Sequence, residues 1–97
     1  MATPIPSEQR DAIAAAIRTS EIPITEFQWI GSRNTLLHAL SGSLFSVSPV
    51  APGKFHVIYR PGPLPRHHAA QIVDDWQAVM RLVHDWVGFV TRDYLYA

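Results

Sequence analysis

The stretch GKFHVIYRPG, residues 53–62, decides the fold because its apolar and polar side chains alternate along the chain. One side of the alternation is apolar and consists of Phe55, Val57 and Tyr59. The other side consists of His56, Ile58 and Arg60. A repeat of two is typical of a strand with one buried face, and glycine beside proline at each end is typical of turns. The stretch therefore predicts a strand over residues 55–60 whose apolar side faces a covering layer.

The same repeat continues toward the N-terminus. Three further runs with a period near two predict strands over residues 27–30, 35–40 and 44–48. The separators GSRN, SGS and PVAPG are rich in residues that form turns, and SGS is short enough for a tight hairpin. We expect an antiparallel meander of three to four strands. Its predicted apolar face is formed by Phe45, Val47, Phe55, Val57 and Tyr59.

Helices are predicted on both sides of the meander. Ser7 is a plausible N-cap of a helix over about residues 7–19, which Pro23 separates from the first strand. Asp74 can cap a long helix over about residues 75–94, although this helix could begin earlier, near His67. The expected architecture is α-β-β-β-β-α, an α+β fold in a single domain over residues 1–97.

The second helix has a wide apolar arc. Leu82 and Phe89 lie on its flank and widen the arc to about 180°, whereas one core usually needs about 100°. The flank is predicted to be covered by the first helix, by a partner or by a second copy of the chain. Leu82, Phe89 and Trp86 are therefore our candidate interaction residues, with Leu82 and Phe89 as exposed anchors.

Composition bounds the class of protein. Basic and acidic residues balance at 8 each, so no positive excess favours nucleic acid or anionic membranes. Only 16% of residues are charged, against an average of about 25%, which favours a surface that binds another protein. With no cysteine, a disulfide, a thiolate metal site and a thiol nucleophile are excluded. Neither a signal peptide nor a membrane span is predicted, and a cytoplasmic location is the default expectation.

The residues with catalytic potential do not form a recognisable motif. The five histidines lack the spacing of three or four that places two metal ligands on one helix face. The serines of SGSLFS lack the G-x-S-x-G context of a nucleophile, and Asp74 and Asp75 are better explained as helix-capping residues. Phosphate-binding and dinucleotide-binding glycine patterns are also absent from the sequence. We expect no enzyme, no metal and no cofactor.

His56 and Arg60 form a second candidate site. They share one face of the predicted strand and could bind an anion together with Arg33 or Arg66. The alternative is that this face of the strand is simply solvated.

The order of several short motifs resembles a group of bacterial accessory domains. EFQW, TLLHALSGSLFSVSP, a strand that ends in YRPG and the helix DDWQAVMRLVHDWVGFVTRDY follow one another between about Ser7 and Tyr94. This order is similar to that of small modules attached to larger NTPase, TIR or protease-like conflict and defence proteins. The pattern departs after the glycine turn, where Ser43, Leu44 and Phe45 stand in place of an aromatic pair. The resemblance implies a non-catalytic module that recruits or recognises, and it assigns no individual binding residue.

Together these features favour a protein-protein interaction or adaptor module that binds another protein or a second copy of itself. Two alternatives stay open at this point. One is a domain that senses a small molecule or anion through His56 and Arg60, and the other is a small enzyme with a histidine in a pocket.

Overall fold

An antiparallel meander of five strands, in the order β1-β2-β3-β4-β5, forms the centre of the computed structural model, which describes residues 5–31, 34–60 and 69–95. The strands are β1 (Phe27–Ile30), β2 (Thr35–His38), β3 (Ser43–Ala51), β4 (Lys54–Arg60) and β5 (Ala69–Val73). The helices are α1 (Ser7–Arg18) and α2 (Trp76–Val90), with a short 3-10 helix (Ile24–Glu26) before β1 and a π-helical segment (Thr91–Leu95) after α2. The predicted α+β class is confirmed.

The number of strands exceeds the prediction by one. β5 pairs with β4 from Phe55↔Val73 to Tyr59↔Ala69, in a region where we predicted no strand and where the helix was expected to begin in one alternative. Its residues, AAQIV, lack the alternation that identified the other strands, and alanine and glutamine have weak strand preference. β5 is a strand because β4 provides a hydrogen-bonding edge, which sequence periodicity does not report.

The element ends also differ slightly from the prediction. β2 ends at His38 because residues 39–42 form the turn, where Gly42 has a φ of 76° and donates its N–H to the His38 carbonyl at 2.9 Å. β3 runs on to Ala51, with a register shift between Pro49 and Ala51. Asp75 caps α2, not Asp74, and α1 begins at Ser7 with no side-chain cap.

The core lies between one face of the sheet and the two helices. α2 packs against β3, β4 and β5, and α1 packs against α2. Trp86 of α2 is fully buried, with its ring 5.7 Å from that of Phe27 and 5.6 Å from that of Phe45. The strand residues predicted to face the helices, Phe45, Val47, Phe55 and Val57, are buried, while Tyr59 is half-buried. Within the described residues, both helices lie on this side of the sheet.

Candidate interaction surface

The opposite side of the sheet, which we call the open face, is not covered by any described element. Cross-strand pairing arranges its side chains in three rows across the strands. From the end near the β2–β3 turn, the rows are Gln28, Leu37, Leu44 and Arg60; Ile30, Thr35, Ser46, Ile58 and Ala70; and Ser48, His56 and Ile72. Each of these residues is half-buried or exposed.

The open face is apolar in two places and polar between them. Ile58 is 37% exposed and Ile72 is 62% exposed, and they lie on the neighbouring strands β4 and β5. Leu37 and Leu44 pair directly across β2 and β3. Between these two apolar areas the Thr35 hydroxyl donates to the Ser46 hydroxyl at 3.1 Å. Exposed aliphatic side chains beside satisfied hydroxyl groups are typical of a surface that binds another protein.

The ionisable side chains of the open face are all basic. His56 and Arg60 are its titratable side chains, and no carboxylate belongs to the three rows. The Arg60 guanidinium donates from Nη2 to the carbonyl oxygen of Gly42 at 3.2 Å, whereas its Nε is buried and has no hydrogen-bond partner in the described structure. Arg60 is therefore held in position while most of its N–H donors are unused by described residues.

The structure does not bring the predicted anion-binding residues together. His56 and Arg60 lie on the open face, as predicted, but four residues along one strand correspond to about 13 Å between their Cα atoms. Arg33, Arg66, His67 and His68 lie outside the described residues. Within the described part of the chain, Arg60 binds Gly42 and His56 pairs across the sheet with Ser48 and Ile72.

On the flank of α2, the side chains of Leu82 and Phe89 are less exposed to a binding partner than we expected. Leu82 is half-buried and packs against the core. The half-buried ring of Phe89 stacks against Tyr59, with 6.3 Å between centroids, and the Arg92 guanidinium lies 4.8 Å from the Phe89 ring. Trp86, the third candidate interaction residue, is fully buried, because its indole occupies the space between α2 and the strands. Trp86 is thus a core residue in this fold and presents no surface to a partner.

Among the described side chains, the cluster of Glu26, His38 and Ser41 comes closest to a catalytic triad of a carboxylate, a histidine and a serine. His38 Nε2 lies 2.9 Å from Glu26 Oε1, and its Nδ1 lies 2.6 Å from the Ser41 hydroxyl. Sequence reasoning missed this carboxylate-histidine-serine series, and the only signal was a histidine three residues before a serine in a predicted turn. The His38 ring is fully buried, under Phe27 and Tyr94. Ser41 Oγ also accepts the Ser43 N–H at 3.2 Å, which places the hydroxyl inside the turn.

A shallow cleft of about 580 Å³ lies between the C-terminal ends of α1 and α2. Its lining includes Ser20, His84, Asp85, Gly88 and Arg92. His84 and Asp85 are exposed and adjacent in sequence. Across residues 5–31, 34–60 and 69–95, no three side chains of the metal-binding types converge into a metal site. The cleft therefore offers polar groups without a converging set.

No described helix is both long and apolar enough to cross a lipid bilayer. Comparisons of the chain with models of protein families, with curated proteins and with solved structures found no match. The geometry of the open face is thus the main support for a functional proposal.

Proposed function

We propose that this chain is a non-catalytic protein-protein interaction module that binds its partner on the open face of the sheet. The observation that carries the proposal is the one-sided covering of the sheet, with Ile58 and Ile72 exposed on adjacent strands. Exposing two large aliphatic side chains on a sheet face costs free energy that a docked partner recovers.

The resemblance of the sequence motifs to those of bacterial accessory domains also supports this proposal. The resemblance implies a module that recruits or recognises other proteins, and we propose that this module acts in a conflict or defence system in the cytoplasm. Under this proposal the helices and the core hold the sheet rigid, and the open face carries the binding residues.

The test is the selection of ligands from a displayed library of random peptides on the purified chain. A double variant, Ile58→Thr with Ile72→Thr, keeps the β-branched shape of both residues while it removes their apolar ends. We expect peptides that bind the wild type to bind the double variant at least about tenfold more weakly, since an apolar anchor commonly contributes more than about 1.4 kcal/mol.

Phe89→Ala serves as the control for the rival surface on the flank of α2. Because the Phe89 ring stacks on Tyr59, we expect this change to lower the free energy of unfolding by about 1–2 kcal/mol and to leave peptide binding intact. Binding that is lost in a folded Phe89→Ala variant and kept in the double variant would move the interface to the α2 flank. Without any enriched peptide, the proposal would be abandoned.

A sensor of small anions is the second candidate, and the observation that favours it is the Arg60 guanidinium, which within the described structure uses only its Nη2, on the Gly42 carbonyl. Inorganic phosphate or nucleotides would then raise the melting temperature of the wild type, since a ligand of the folded state stabilises it by mass action. The open face favours a protein partner more strongly, because His56 and Arg60 do not converge on one position.

A further inference from the structure

We propose that the partner segment on the open face is acidic and aliphatic, and that one of its carboxylates binds the Arg60 guanidinium. This inference rests on the proposed function and identifies the chemistry of the partner. It concerns the corner of the open face formed by Leu37, Leu44 and Arg60 together with Leu40 of the adjacent turn, which we call the Arg60 corner.

Arg60 is already oriented for a carboxylate. Its Nη2 donates to the Gly42 carbonyl at 3.2 Å, which ties a long side chain to the β2–β3 turn. Ordering such a side chain on binding normally costs conformational entropy. The hydrogen bond to Gly42 already restricts the Arg60 side chain in the free protein, so that less entropy is lost when a partner binds. A guanidinium has five N–H donors in a planar fork that matches a carboxylate. Within the described structure one Nη2 donor is used and the Nε–H is buried, so the other donors of the two Nη groups are left for a carboxylate.

The surroundings of Arg60 favour a partner that is aliphatic as well as acidic. Leu44 pairs directly with Arg60 across β3 and β4, and Leu37 pairs with Leu44 on the other side. Leu40, in the turn whose carbonyl holds Arg60, is 62% exposed. A free small anion would leave these leucines in water, whereas a peptide can cover them and exclude water from the ion pair.

Charge argues against a second copy of this chain as the occupant. The described residues of the open face include no carboxylate, so two open faces in contact would leave both Arg60 guanidinium groups without a carboxylate partner on either face. The exposed acidic residues lie on the helices and loops, for example Asp11, Asp74 and Asp85. A partner that supplies its own carboxylate complements the open face.

The experiment uses peptides selected from the displayed library, synthesised with a fluorescent label and titrated with the full chain at two NaCl concentrations. We expect the selected sequences to be enriched in Asp or Glu next to Leu, Ile or Val. Arg60→Gln should weaken their binding at least about tenfold, since a hydrogen bond to a charged group commonly contributes that much. Arg81→Gln, which removes the same charge from an exposed site on α2, should leave affinity unchanged.

Two further variants distinguish a loss of binding from unfolding of the chain. Leu40→Asp changes an exposed turn residue and should weaken binding by repulsion of the acidic peptide, while Arg60→Lys should recover only part of the affinity because ammonium lacks the planar fork. Circular dichroism would verify that each variant is folded. Raising the NaCl concentration should weaken the wild-type complex more than the complex of Arg60→Gln.

The outcomes separate this inference from the proposed function. Peptides that depend on Ile58 and Ile72 but are not acidic, or that tolerate both Arg60→Gln and Leu40→Asp, would overturn the inference and leave the proposed function standing. A wild-type dimer that the Ile58→Thr and Ile72→Thr double variant converts to a monomer would overturn it as well, because the occupant would then be a second copy. Peptides indifferent to every open-face change, or no enriched peptide, would overturn both.

Discussion

His38 is a polar residue that is fully buried beside the aliphatic and aromatic core, as is Ser43. Both of its ring nitrogens have an oxygen partner, on Glu26 and on Ser41. Burial of the imidazole therefore leaves neither nitrogen without a hydrogen bond. The two partners belong to the 3-10 helix before β1 and to the turn after β2. His38 therefore joins three successive segments of the chain in a way that a leucine of similar volume would not.

We predict that His38→Ala lowers the free energy of unfolding by about 2–4 kcal/mol, because it removes buried ring contacts and leaves two oxygen partners unpaired. Chemical denaturation monitored by circular dichroism would measure this change. His56→Ala, the same replacement on the open face, should change stability by less than about 1 kcal/mol. Equal losses for the two variants would show that the Glu26-His38-Ser41 cluster contributes little.

Alternation along the strands predicted which side chains are buried but not which side chains they contact. Phe45, Val47, Phe55 and Val57 were predicted to face the helices from alternation alone, and they are buried. The partners of His38 were not predicted, because Glu26 and Ser41 approach it only when β1, β2 and the turn are assembled. The alternation of apolar and polar residues along a strand shows on which face of the sheet a side chain lies, but not which other side chain it contacts.

At the scale of elements, α2 shows how a helix start can be displaced by one residue. The sequence offers two successive aspartates, and the second one is used: the Asp75 carboxylate accepts the Ala78 N–H at 2.7 Å. The Asp74 side chain is 83% exposed and lies 3.9 Å from Lys54 Nζ. β5 extends to Val73, and the chain needs Asp74 to pass from strand to helix, so that capping falls to Asp75.

Replacing each aspartate separately tests this assignment. Asp75→Ala should lower the free energy of unfolding by about 1 kcal/mol, because an N–H in the first turn of α2 loses its acceptor. Asp74→Ala should have an effect within about 0.5 kcal/mol, as expected for an exposed ion pair. Thermal and urea denaturation of the two variants would compare them directly, and a larger loss for Asp74→Ala would contradict the observed cap.

Four of the five strands and both helices were predictable, since each carries its own periodicity or turn signals. β5 was not, because AAQIV has no period of its own and becomes a strand by pairing with β4. Part of the open face was predicted from the sequence, because alternation puts His56, Ile58 and Arg60 on one side of β4. Its extension across β2, β3 and β5 depends on strand register, and register is visible only in the assembled sheet.

At the scale of the whole molecule, a single tryptophan connects the helical layer with the sheet. Trp86 is fully buried between Phe27 of β1 and Phe45 of β3, so that its indole contacts an edge strand and the central strand of the sheet. Its Nε1 has no hydrogen-bond partner in the described structure, which means that packing alone holds the ring in place. The cohesion of the two layers should accordingly depend on the volume of this side chain.

We predict that Trp86→Ala removes about 3–5 kcal/mol of stability, a large part of the roughly 5–15 kcal/mol available to a domain of this size. Urea denaturation of the wild type and the variant would measure this loss, and an unchanged free energy of unfolding would contradict the prediction. Trp86→Phe should be milder, since it keeps an aromatic ring and gives up an N–H that has no hydrogen-bond partner among the described residues. A well-folded Trp86→Ala protein that fails only to bind a partner would instead support the earlier assignment of Trp86 to an interaction surface.

The amino-acid sequence by itself determined the α+β class, the faces of four strands and the apolar side of α2, because these follow from local periodicity and from turn residues. Only the tertiary structure decided that β5 completes the sheet, that His38 is bonded to Glu26 and Ser41, and that Arg60 is tied to Gly42. The physical reason is that pairing, burial and hydrogen bonding between distant segments depend on how the segments pack, and no local pattern records that packing.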